Sequence, residues 1–369
     1  MSKLDLDDVR RFAVARSLFP PTTLQGAIDA LGFVQADPIR APARAQDLTL
    51  RHRVENYRAG DLERLYPTLE VHEDHFINYG FLSGRVWSLM HPRGFFAWAP
   101  GQGRRVKRVL EFVRERGTVH PREVDAHFEH GKVTNFWGGS SSATTHLLEA
   151  MHYGSLLRVV RRETGIRVYA VHEHDAATIS PPARRARIDA LIDVVVGKYA
   201  PLPAASFSMV ISRLRYAVPQ WRGELPNALK RAKARFPRLQ IDGTDWYFPD
   251  GEIGTAPAPA DTVRLLAPFD PIVWDRTRFE ILWDWAYRFE AYTPAPKRKY
   301  GYYALPLLWR DRVVGWATVK TIGGSLRAEC GYVSGRAPRE RAFKTALEKE
   351  LARLRQFLGM ENVGGRTAS

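Results

Sequence analysis

A glutamine and an aspartate, Gln35 and Asp37, stand two positions apart in the segment Phe33–Pro38 (FVQADP). In an extended strand over Phe33–Asp37, side chains at i and i+2 project to the same side, so the two groups are expected to act together. Pro38 favours β or polyproline geometry at Asp37, which preserves the pairing. The carboxylate could accept a proton from water or stabilise a cation, and the amide could orient that water. The same spacing also occurs on ordinary polar strand faces, so it does not by itself establish an enzyme.

Other catalytic or metal-binding signatures are weak. The phosphate-binding pattern GxxxxGK[ST] and the zinc pattern HExxH are both absent. The segment His72-Glu73-Asp74-His75 places two histidines three positions apart, but its surroundings predict a strand with a polar surface cluster rather than a metal site. The single cysteine, Cys330, can form neither an internal disulfide nor a thiolate metal site, and it suits a reducing compartment. No metal or organic cofactor is implied.

The overall charge indicates a polyanionic partner. Lys and Arg number 55 against 40 Asp and Glu, which gives a formal net charge of +15 over 369 residues. A surface this basic usually meets phosphates or another polyanion. With 45% hydrophobic and 26% charged residues, the composition excludes a mostly disordered chain. No segment reaches the ~18–20 apolar residues of a membrane span, and the N-terminus lacks an apolar signal core. A cytoplasmic protein without a membrane role is therefore expected.

Helical periodicity and turn signals divide the chain into four blocks. In the second block, residues 104–116 have helical apolar spacing, two shorter helices follow, and a hairpin turns at 163–165. Three helices followed by a two-stranded ribbon is the order of a winged helix-turn-helix. The third block repeats this order, with helices over 207–214 and 225–235 and a hairpin signal at 242–243 (Asp-Gly). The first block is a looser version of the same order.

The fourth block is β-rich and aromatic, and it ends in a predicted helix. The predicted fold class is therefore α+β, with tandem winged helix-turn-helix domains and a C-terminal β-rich, barrel-like domain. The first domain carries the Gln-x-Asp pair, two winged-helix domains follow it, and the β-rich domain ends in the closing helix. The predicted bounds of these four domains are 1–100, 101–180, 181–258 and 259–369.

Basic residues cluster where a nucleic acid could bind. A winged helix places its third helix in the major groove and its wing near the DNA backbone. Guanidinium groups on the second wing suit phosphate contacts, and a basic run beside an aromatic ring can hold a backbone and stack on a splayed base. Each cluster alone could be a solvated basic face, but their coincidence with a winged-helix order favours DNA binding. The candidate DNA-binding residues are Arg158, Arg161, Arg162, Arg167, Lys297, Arg298, Lys299 and Tyr300.

Two parts of the chain resemble a known enzyme family. The segment Phe33–Asp37, after two predicted helices, resembles the Gln-x-Asp motif of the YcaQ/AlkZ-like winged-helix DNA glycosylases. Leu266–Pro271, Trp274–Arg276 and Tyr292–Tyr303 are similar to that family's C-terminal signature. The resemblance spans nearly the whole chain. It implies tandem winged helices and a C-terminal β-domain around a basic concave channel.

The resemblance also implies roles for individual residues. The family's catalytic pair falls on Gln35 and Asp37, and Asp37 is typical of the carboxylate-bearing subgroup, since some relatives carry a second glutamine there. Members of the family excise bulky or crosslinking alkylated purines, and some unhook interstrand crosslinks. The implied partner is double-stranded DNA carrying alkylated or crosslinked purines, and a monomer is expected. Ala36 and the segment Arg44-Ala45-Gln46-Asp47 depart from the family pattern, which bears on the range of substrates.

The chemistry of such a lesion agrees with a monofunctional glycosylase that acts in base excision repair. An N7-alkylated purine already carries a positive charge, so it can leave without a general acid, unlike the neutral oxygen in two-carboxylate sugar hydrolases. Hydrolysis then needs an oxocarbenium stabiliser and an activated water. No lysine neighbours Gln35 and Asp37 in sequence, so a Schiff base is not favoured. The alternative interpretation is a non-enzymatic winged-helix transcriptional regulator. A third interpretation, an RNA-binding or structural module, is supported only by the charge and the aromatic content.

Overall fold

The computed structural model describes residues 4–93, 102–129, 131–134, 140–174, 179–252 and 256–360. Within these ranges no helix is long and apolar enough to cross a membrane. The helices are α1 (Leu6–Ser17), α2 (Leu24–Leu31), α3 (Ala45–Leu50), α4 (Asp61–Leu65), α5 (Gly84–Met90), α6 (Gln102–Arg116), α7 (Pro121–Phe128), α8 (Ala143–Tyr153), α9 (Pro181–Tyr199), α10 (Ala204–Arg213), α11 (Leu225–Arg235), α12 (Pro271–Trp274), α13 (Arg276–Trp283) and α14 (Arg341–Phe357).

The strands alternate with these helices along the chain. They are β1 (Phe33–Gln35), β2 (Val71–His75), β3 (Tyr79–Ser83), β4 (Thr118–Val119), β5 (Lys132–Thr134), β6 (Ser140–Ser142), β7 (Leu157–Glu163), β8 (Ile166–Val171), β9 (Leu202–Pro203), β10 (Arg238–Ile241), β11 (Thr244–Tyr247), β12 (Val263–Leu265), β13 (Ala304–Trp309), β14 (Arg312–Ile322) and β15 (Ser325–Tyr332). The mixture of helices and strands agrees with the predicted class.

The chain divides into two compact units. Unit 1 comprises Met1–Asp61, Asp193–Val210 and Lys233–Ser369, and unit 2 comprises Leu62–Ile192 and Ile211–Ala232. Neither unit is a continuous segment, because the chain passes from one to the other several times. The four domains expected from the sequence stay a prediction, since the units group residues by contact and not by their ability to fold alone.

Local signals in the first block produce the two helices that lead to the Gln-x-Asp pair. The Asp5 side chain accepts a hydrogen bond of 2.9 Å from the backbone N–H of Asp8, and the Asp8 side chain accepts one of 3.1 Å from Asp5. This reciprocal capping box starts α1. Gly32 ends α2 with a φ of 65°, a left-handed conformation that favours glycine. Strand β1 follows at once and carries Gln35 at its end.

The second and third blocks each contain three helices followed by the predicted hairpin, and they also have short strands between their helices. β8 lies between β4 and β7 in one antiparallel sheet, and β11 lies between β9 and β10 in another. Thr164 and Gly165 have φ values of 49° and 90° at the first hairpin, and Asp242 and Gly243 have 47° and 75° at the second. Two consecutive positive φ values are typical of the tight hairpin turns that the sequence predicts. α11 has the predicted bounds of 225–235.

The C-terminal region forms an antiparallel sheet in the order β12-β13-β14-β15, a curled half-barrel with β12 and β15 at its edges. The predicted β-rich region and its closing helix α14 are confirmed in this coarser form. Glu350 of α14 is fully buried, and it accepts a 2.9 Å hydrogen bond from the backbone N–H of Leu265 in β12. α14 is thereby joined to the edge of the sheet. β15 was not predicted, although its apolar residues alternate: Leu326, Ala328 and Cys330 are half-buried, and Ser325, Arg327 and Glu329 are exposed.

Candidate active site

Gln35 closes β1, and a tryptophan sets the orientation of its amide. The indole Nε1–H of Trp274 donates a hydrogen bond of 2.8 Å to Oε1 of Gln35. An indole nitrogen can only donate, so the amide oxygen must be the atom that faces Trp274. The amide NH2 group, which carries only donors, lies on the other side of the amide carbon. Gln35 is therefore arranged to offer donors, rather than an acceptor, to a water or sugar oxygen.

Trp274 itself is held by a buried ion pair at the start of α12. Arg53 donates to both carboxylate oxygens of Asp270, at 2.8 and 3.1 Å, and both side chains are fully buried. Asp270 also accepts a 3.0 Å hydrogen bond from the backbone N–H of Ile272, which caps the helix. The ring of Tyr199 packs against Trp274 with 4.9 Å between centroids. Asp270 thus has a structural role, whereas Trp274 contacts the candidate catalytic amide.

Asp37 lies just beyond the end of β1 and is 9% exposed. Its Oδ1 accepts a 2.9 Å hydrogen bond from the backbone N–H of Ile39, and its own N–H donates to Oε1 of Gln46 at 3.2 Å. An aspartate that accepts from the residue two positions later forms an Asx turn. The expected strand over Phe33–Asp37 is therefore too long, since Pro38 cannot donate to a ladder and the turn takes over. This turn, rather than strand alternation, orients the carboxylate.

The surroundings of Asp37 make its carboxylate a better base. Burial raises the pKa of Asp37 because an ionised carboxylate loses hydration, and the hydrogen bond from Ile39 only partly opposes this. A raised pKa favours proton acceptance. Burial and then the charge of Asp37 raise the pKa of Tyr303 well above its ordinary value, and the same two causes raise the pKa of Tyr292. Both phenols therefore remain neutral donors near a basic carboxylate.

A buried lysine supports the strand that carries Gln35. Nζ of Lys198 donates a hydrogen bond to the backbone oxygen of Phe33 and lies 5.6 Å from the centroid of the Phe33 ring. Burial lowers the pKa of Lys198 to about 7, and Arg53 lowers it further while Asp270 opposes the change. Lys198 is 6% exposed. Its nitrogen is therefore committed to the backbone of β1.

Two predicted DNA-binding arginines lie on strand β7 of the β7–β8 hairpin, in unit 2. Arg158 on β7 is exposed. Arg161 on the same strand pairs with Glu163 at 2.7 Å, and both side chains are more than two-fifths exposed. An exposed pair of this kind is held weakly in water. Both guanidinium groups could therefore meet a phosphate, and their DNA binding stays a prediction.

The other two predicted arginines of the β7–β8 hairpin, Arg162 and Arg167, are bound to other residues of the protein. Arg162 donates to both oxygens of the buried Glu73 carboxylate, at 2.7 and 2.6 Å. Arg167 pairs with Glu149 at 2.8 Å, and its guanidinium lies 4.1 Å from the centroid of the Tyr79 ring. A bidentate pair to a buried carboxylate is costly to separate. The prediction that these two arginines bind DNA is untested, but their present partners give them a structural role.

The predicted basic run of the C-terminal region lies in unit 1. Lys297 and Lys299 are exposed, and Arg298 donates to the backbone oxygen of Thr293 at 2.7 Å. The Glu290 carboxylate accepts hydrogen bonds from the backbone N–H of Lys299 at 3.0 and 2.9 Å. These contacts fix the loop and leave the two ammonium groups in solvent. The run therefore remains a candidate phosphate contact.

Tyr300, predicted to bind DNA, is packed into the structure. Its hydroxyl accepts a 3.2 Å hydrogen bond from the indole of Trp285, and its ring lies 4.8 Å from that of Trp316. Its backbone N–H donates to Glu290 at 2.7 Å. By contrast, Tyr292 is 71% exposed. Tyr292 is therefore the more accessible ring for contact with a base, although a DNA-binding role for Tyr300 is untested.

The segment 72–75 forms β2, and its two acids are held by arginines. Glu73 binds Arg162 as described, and Asp74 binds Arg93 at 2.6 Å. Within the described ranges, no group of three His, Cys, Asp or Glu side chains could hold a metal ion. Burial alone would raise the pKa of Asp74, but Arg93 and a neighbouring histidine, His91, lower it well below its ordinary value. The two acids of this segment are therefore structural anions of unit 2.

A serine, a histidine and an aspartate also meet inside unit 2. His91 lies 2.8 Å from Oγ of Ser155 through one ring nitrogen and 2.8 Å from Asp74 through the other. Ser155 is fully buried, and its oxygen also accepts a 3.0 Å hydrogen bond from the backbone N–H of Arg93. A catalytic serine must reach its substrate. This set is therefore an internal hydrogen-bond network.

The Gln35 amide and the Asp37 carboxylate are each fixed by neighbouring residues, and they remain the candidate catalytic groups. A sequence model of the family described as DNA glycosylase AlkZ-like matches residues 28–357, so the chain belongs to the AlkZ-like DNA glycosylases. The expected family is confirmed, and the protein is an enzyme of DNA repair rather than a non-enzymatic regulator. The structure is similar to Streptomyces sahachiroi DNA glycosylase AlkZ, with a TM-score of 0.63 and 15% identity, covering 97% of this chain and 98% of that one. At this identity the likeness concerns the fold.

Sequence reasoning left the role of Trp274 open and did not identify three other neighbours of the candidate site. Trp274 and Tyr292 lie in the segments that resemble the C-terminal signature, but their spacing gives no sign of contact with Gln35 or Asp37. Gln46 lies in a segment that departs from the family pattern, which was a usable signal. Lys198 stands three positions after Val195, on the apolar face that also carries Ile188 and Leu191, and this helical spacing was a usable signal of its burial.

Proposed function

We propose that this protein is a monofunctional DNA glycosylase that hydrolyses the N-glycosidic bond of N7-alkylated purines in double-stranded DNA. The observation that carries the proposal is that the Gln35 amide is oriented by Trp274 and that Asp37, two positions later in the chain, is buried. Asp37 removes a proton from water and stabilises the positive sugar. Gln35 holds the oxygen of that water through its NH2 group.

The reaction balances without a further reactant. The C1′–N9 bond breaks and its electron pair goes to the base, which neutralises the positive charge of the alkylated ring. The water oxygen bonds to C1′ of the oxocarbenium ion, and the water proton passes to Asp37. A neutral leaving base needs no general acid, so one carboxylate and one amide suffice. Proton transfer of this kind typically contributes about 10²–10⁴ in rate.

The state of Lys198 supports a hydrolytic rather than a lyase reaction. A lysine with a pKa lowered to about 7 is a competent nucleophile in principle, but Nζ of Lys198 is bound to the backbone oxygen of Phe33 and buried. Treatment with sodium borohydride during turnover is therefore expected to trap no enzyme–DNA adduct. A covalent adduct abolished by Lys198→Arg would overturn the monofunctional assignment.

DNA binding in this proposal combines tandem winged helices with exposed cations. Arg158 and Arg161 on the second wing, and Lys297 and Lys299 beside the C-terminal sheet, contact phosphates. Phosphate contacts release counterions, so binding weakens as salt rises. Removing one such contact is expected to lower the slope of log affinity against log salt by about one. A monomer suffices, because the excised base offers no palindrome to match.

The direct test measures the base released from a duplex containing 7-methylguanine. Wild-type protein is expected to release it, and Asp37→Ala and Gln35→Ala to lower the single-turnover rate. Asp29→Ala, at an exposed acid in the preceding helix α2, is the matched control. Variants at 35 and 37 that excise as fast as wild type would refute their roles. A duplex with an interstrand crosslink between alkylated purines, run in parallel, tests unhooking by the appearance of separated strands.

A further inference from the structure

A continuous set of aromatic rings lies in unit 1 near Asp37. The ring of Phe289 lies 5.3 Å from Tyr303, 6.0 Å from Tyr292 and 5.1 Å from Phe269, measured between centroids. Phe269 and Phe289 are half-buried, whereas Tyr292 is 71% exposed. The set therefore runs from the interior to the surface.

The buried end of this set carries an unsatisfied polar atom. Tyr303 is 1% exposed, and its hydroxyl makes no hydrogen bond with the part of the chain that the structure describes. A buried hydroxyl without a partner costs free energy, so a ligand that accepts its hydrogen bond would recover that cost. A hydroxyl donor beside rings is the pattern of a site that binds a flat, polar heterocycle.

The charge near these rings selects the kind of heterocycle. Asp37 interacts electrostatically with both Tyr292 and Tyr303. A carboxylate attracts a cation, and the faces of aromatic rings do the same. A planar, positively charged ring therefore fits this place better than a neutral or anionic one.

We propose that Tyr292 stacks on the alkylated base once it has left the DNA helix, and that Phe289 and Tyr303 form the inner part of the same pocket. This inference rests on the proposed function and adds the residue that recognises the base. Enzymes that act on a base inside a duplex commonly turn it out and hold it between aromatic side chains. Lys297 and Lys299 follow Tyr292 closely along the chain, so one segment would hold both the base and the backbone.

An exposed tyrosine can also be an ordinary surface residue. Two observations favour a binding role for Tyr292. Its ring continues a set that ends at the unsatisfied Tyr303 hydroxyl, and it lies close enough to Asp37 for the carboxylate to affect its ionisation. Tyr216, another exposed tyrosine, belongs to unit 2, and its hydroxyl accepts a 2.9 Å hydrogen bond from Arg215. Tyr216 is therefore a suitable comparison.

The test combines three variants with two substrates. Tyr292→Ala, Tyr292→Phe and Tyr216→Ala are compared with wild type for single-turnover release of 7-methylguanine and for binding to a duplex that already contains an abasic site. Stacking on one base is worth about a 5- to 150-fold effect when the ring is removed. Tyr292→Ala is expected to lose that factor in excision, Tyr292→Phe to recover most of it, and Tyr216→Ala to match wild type. Affinity for the abasic duplex should not change, because no base is present to stack.

Each outcome has one meaning. If wild-type protein releases no base, the proposed function fails, and this inference fails with it. If wild type is active and Tyr292→Ala is equally fast, only the inference fails. Loss of binding to the abasic duplex in Tyr292→Ala would also overturn it, since Tyr292 would then contact the backbone rather than the base.

Discussion

The hydrogen bond between Trp274 and Gln35 predicts a measurable coupling between the two residues. Trp274→Phe keeps an aromatic ring against Tyr199 but removes the indole N–H that donates at 2.8 Å to Oε1 of Gln35. The net value of such a bond is about 0.5–1.5 kcal/mol. If the bond acts through the orientation of Gln35, its loss lowers the excision rate by about 2- to 13-fold. The short distance and partly buried setting favour the upper half of that range.

The assay is a double-mutant cycle on the single-turnover release of 7-methylguanine. In the Gln35→Ala background there is no amide to orient, so Trp274→Phe should then have almost no further effect. Trp283→Phe is the matched control, because its indole also donates, at 2.9 Å, but to the backbone oxygen of Asp311. Equal losses from Trp274→Phe in both backgrounds would refute the reasoning, since Trp274 would then act on stability or on DNA instead.

Three further predictions follow from buried charges. Asp37→Asn should lower the excision rate by about 10²–10⁴-fold. It should also raise the melting temperature at neutral pH. Burial raises the pKa of Asp37, so the folded state loses stability as pH rises through that pKa and the carboxylate ionises. Asp270→Ala leaves Arg53 buried without its partner and should cost about 3–5 kcal/mol in urea unfolding, whereas Asp245→Ala, in an exposed pair, should cost under about 1 kcal/mol. Lowering the pH from 7 to 5 should destabilise the protein. Burial lowers the pKa of His91 to about 4 in the folded state, whereas the unfolded value is 6.5. Below pH 6.5 the unfolded chain therefore takes up a proton that the folded protein does not, and the folded state loses stability as the pH falls. His91 alone should lower the free energy of unfolding by ~2 kcal/mol at pH 5. The His91→Asn variant should lack this part of the pH dependence when thermal unfolding is compared at the two pH values.

Each of these has a contrary outcome. A lower melting temperature for Asp37→Asn would mean that the carboxylate stabilises the fold through contacts that outweigh its dehydration. A cost for Asp270→Ala no greater than for Asp245→Ala would contradict the view that the buried pair anchors α12. An unchanged pH dependence in His91→Asn would show that other histidines carry the acid sensitivity.

Much of the local structure could be predicted because its causes are local. The capping residues Asp5 and Gly32, and the Asp242-Gly243 hairpin, act within a few positions of themselves. The candidate catalytic pair was found for the same reason, since Gln35 and Asp37 lie within one short segment. β15 was missed although Leu326, Ala328 and Cys330 alternate with polar residues, because Leu, Arg, Ala and Glu favour helices by intrinsic propensity.

The environment of the candidate catalytic residues, Gln35 and Asp37, was decided only by the tertiary structure. Trp274 contacts Gln35 across 239 positions, and Lys198 reaches Phe33 across 165. Contacts at such separations depend on how whole elements pack, and neither propensity nor periodicity encodes them. The sequence alone indicated which residues could activate water, and its net positive charge indicated that the protein binds a polyanion. The fold decided which atoms those residues present, because burial and long-range hydrogen bonds set the amide orientation and the pKa of Asp37.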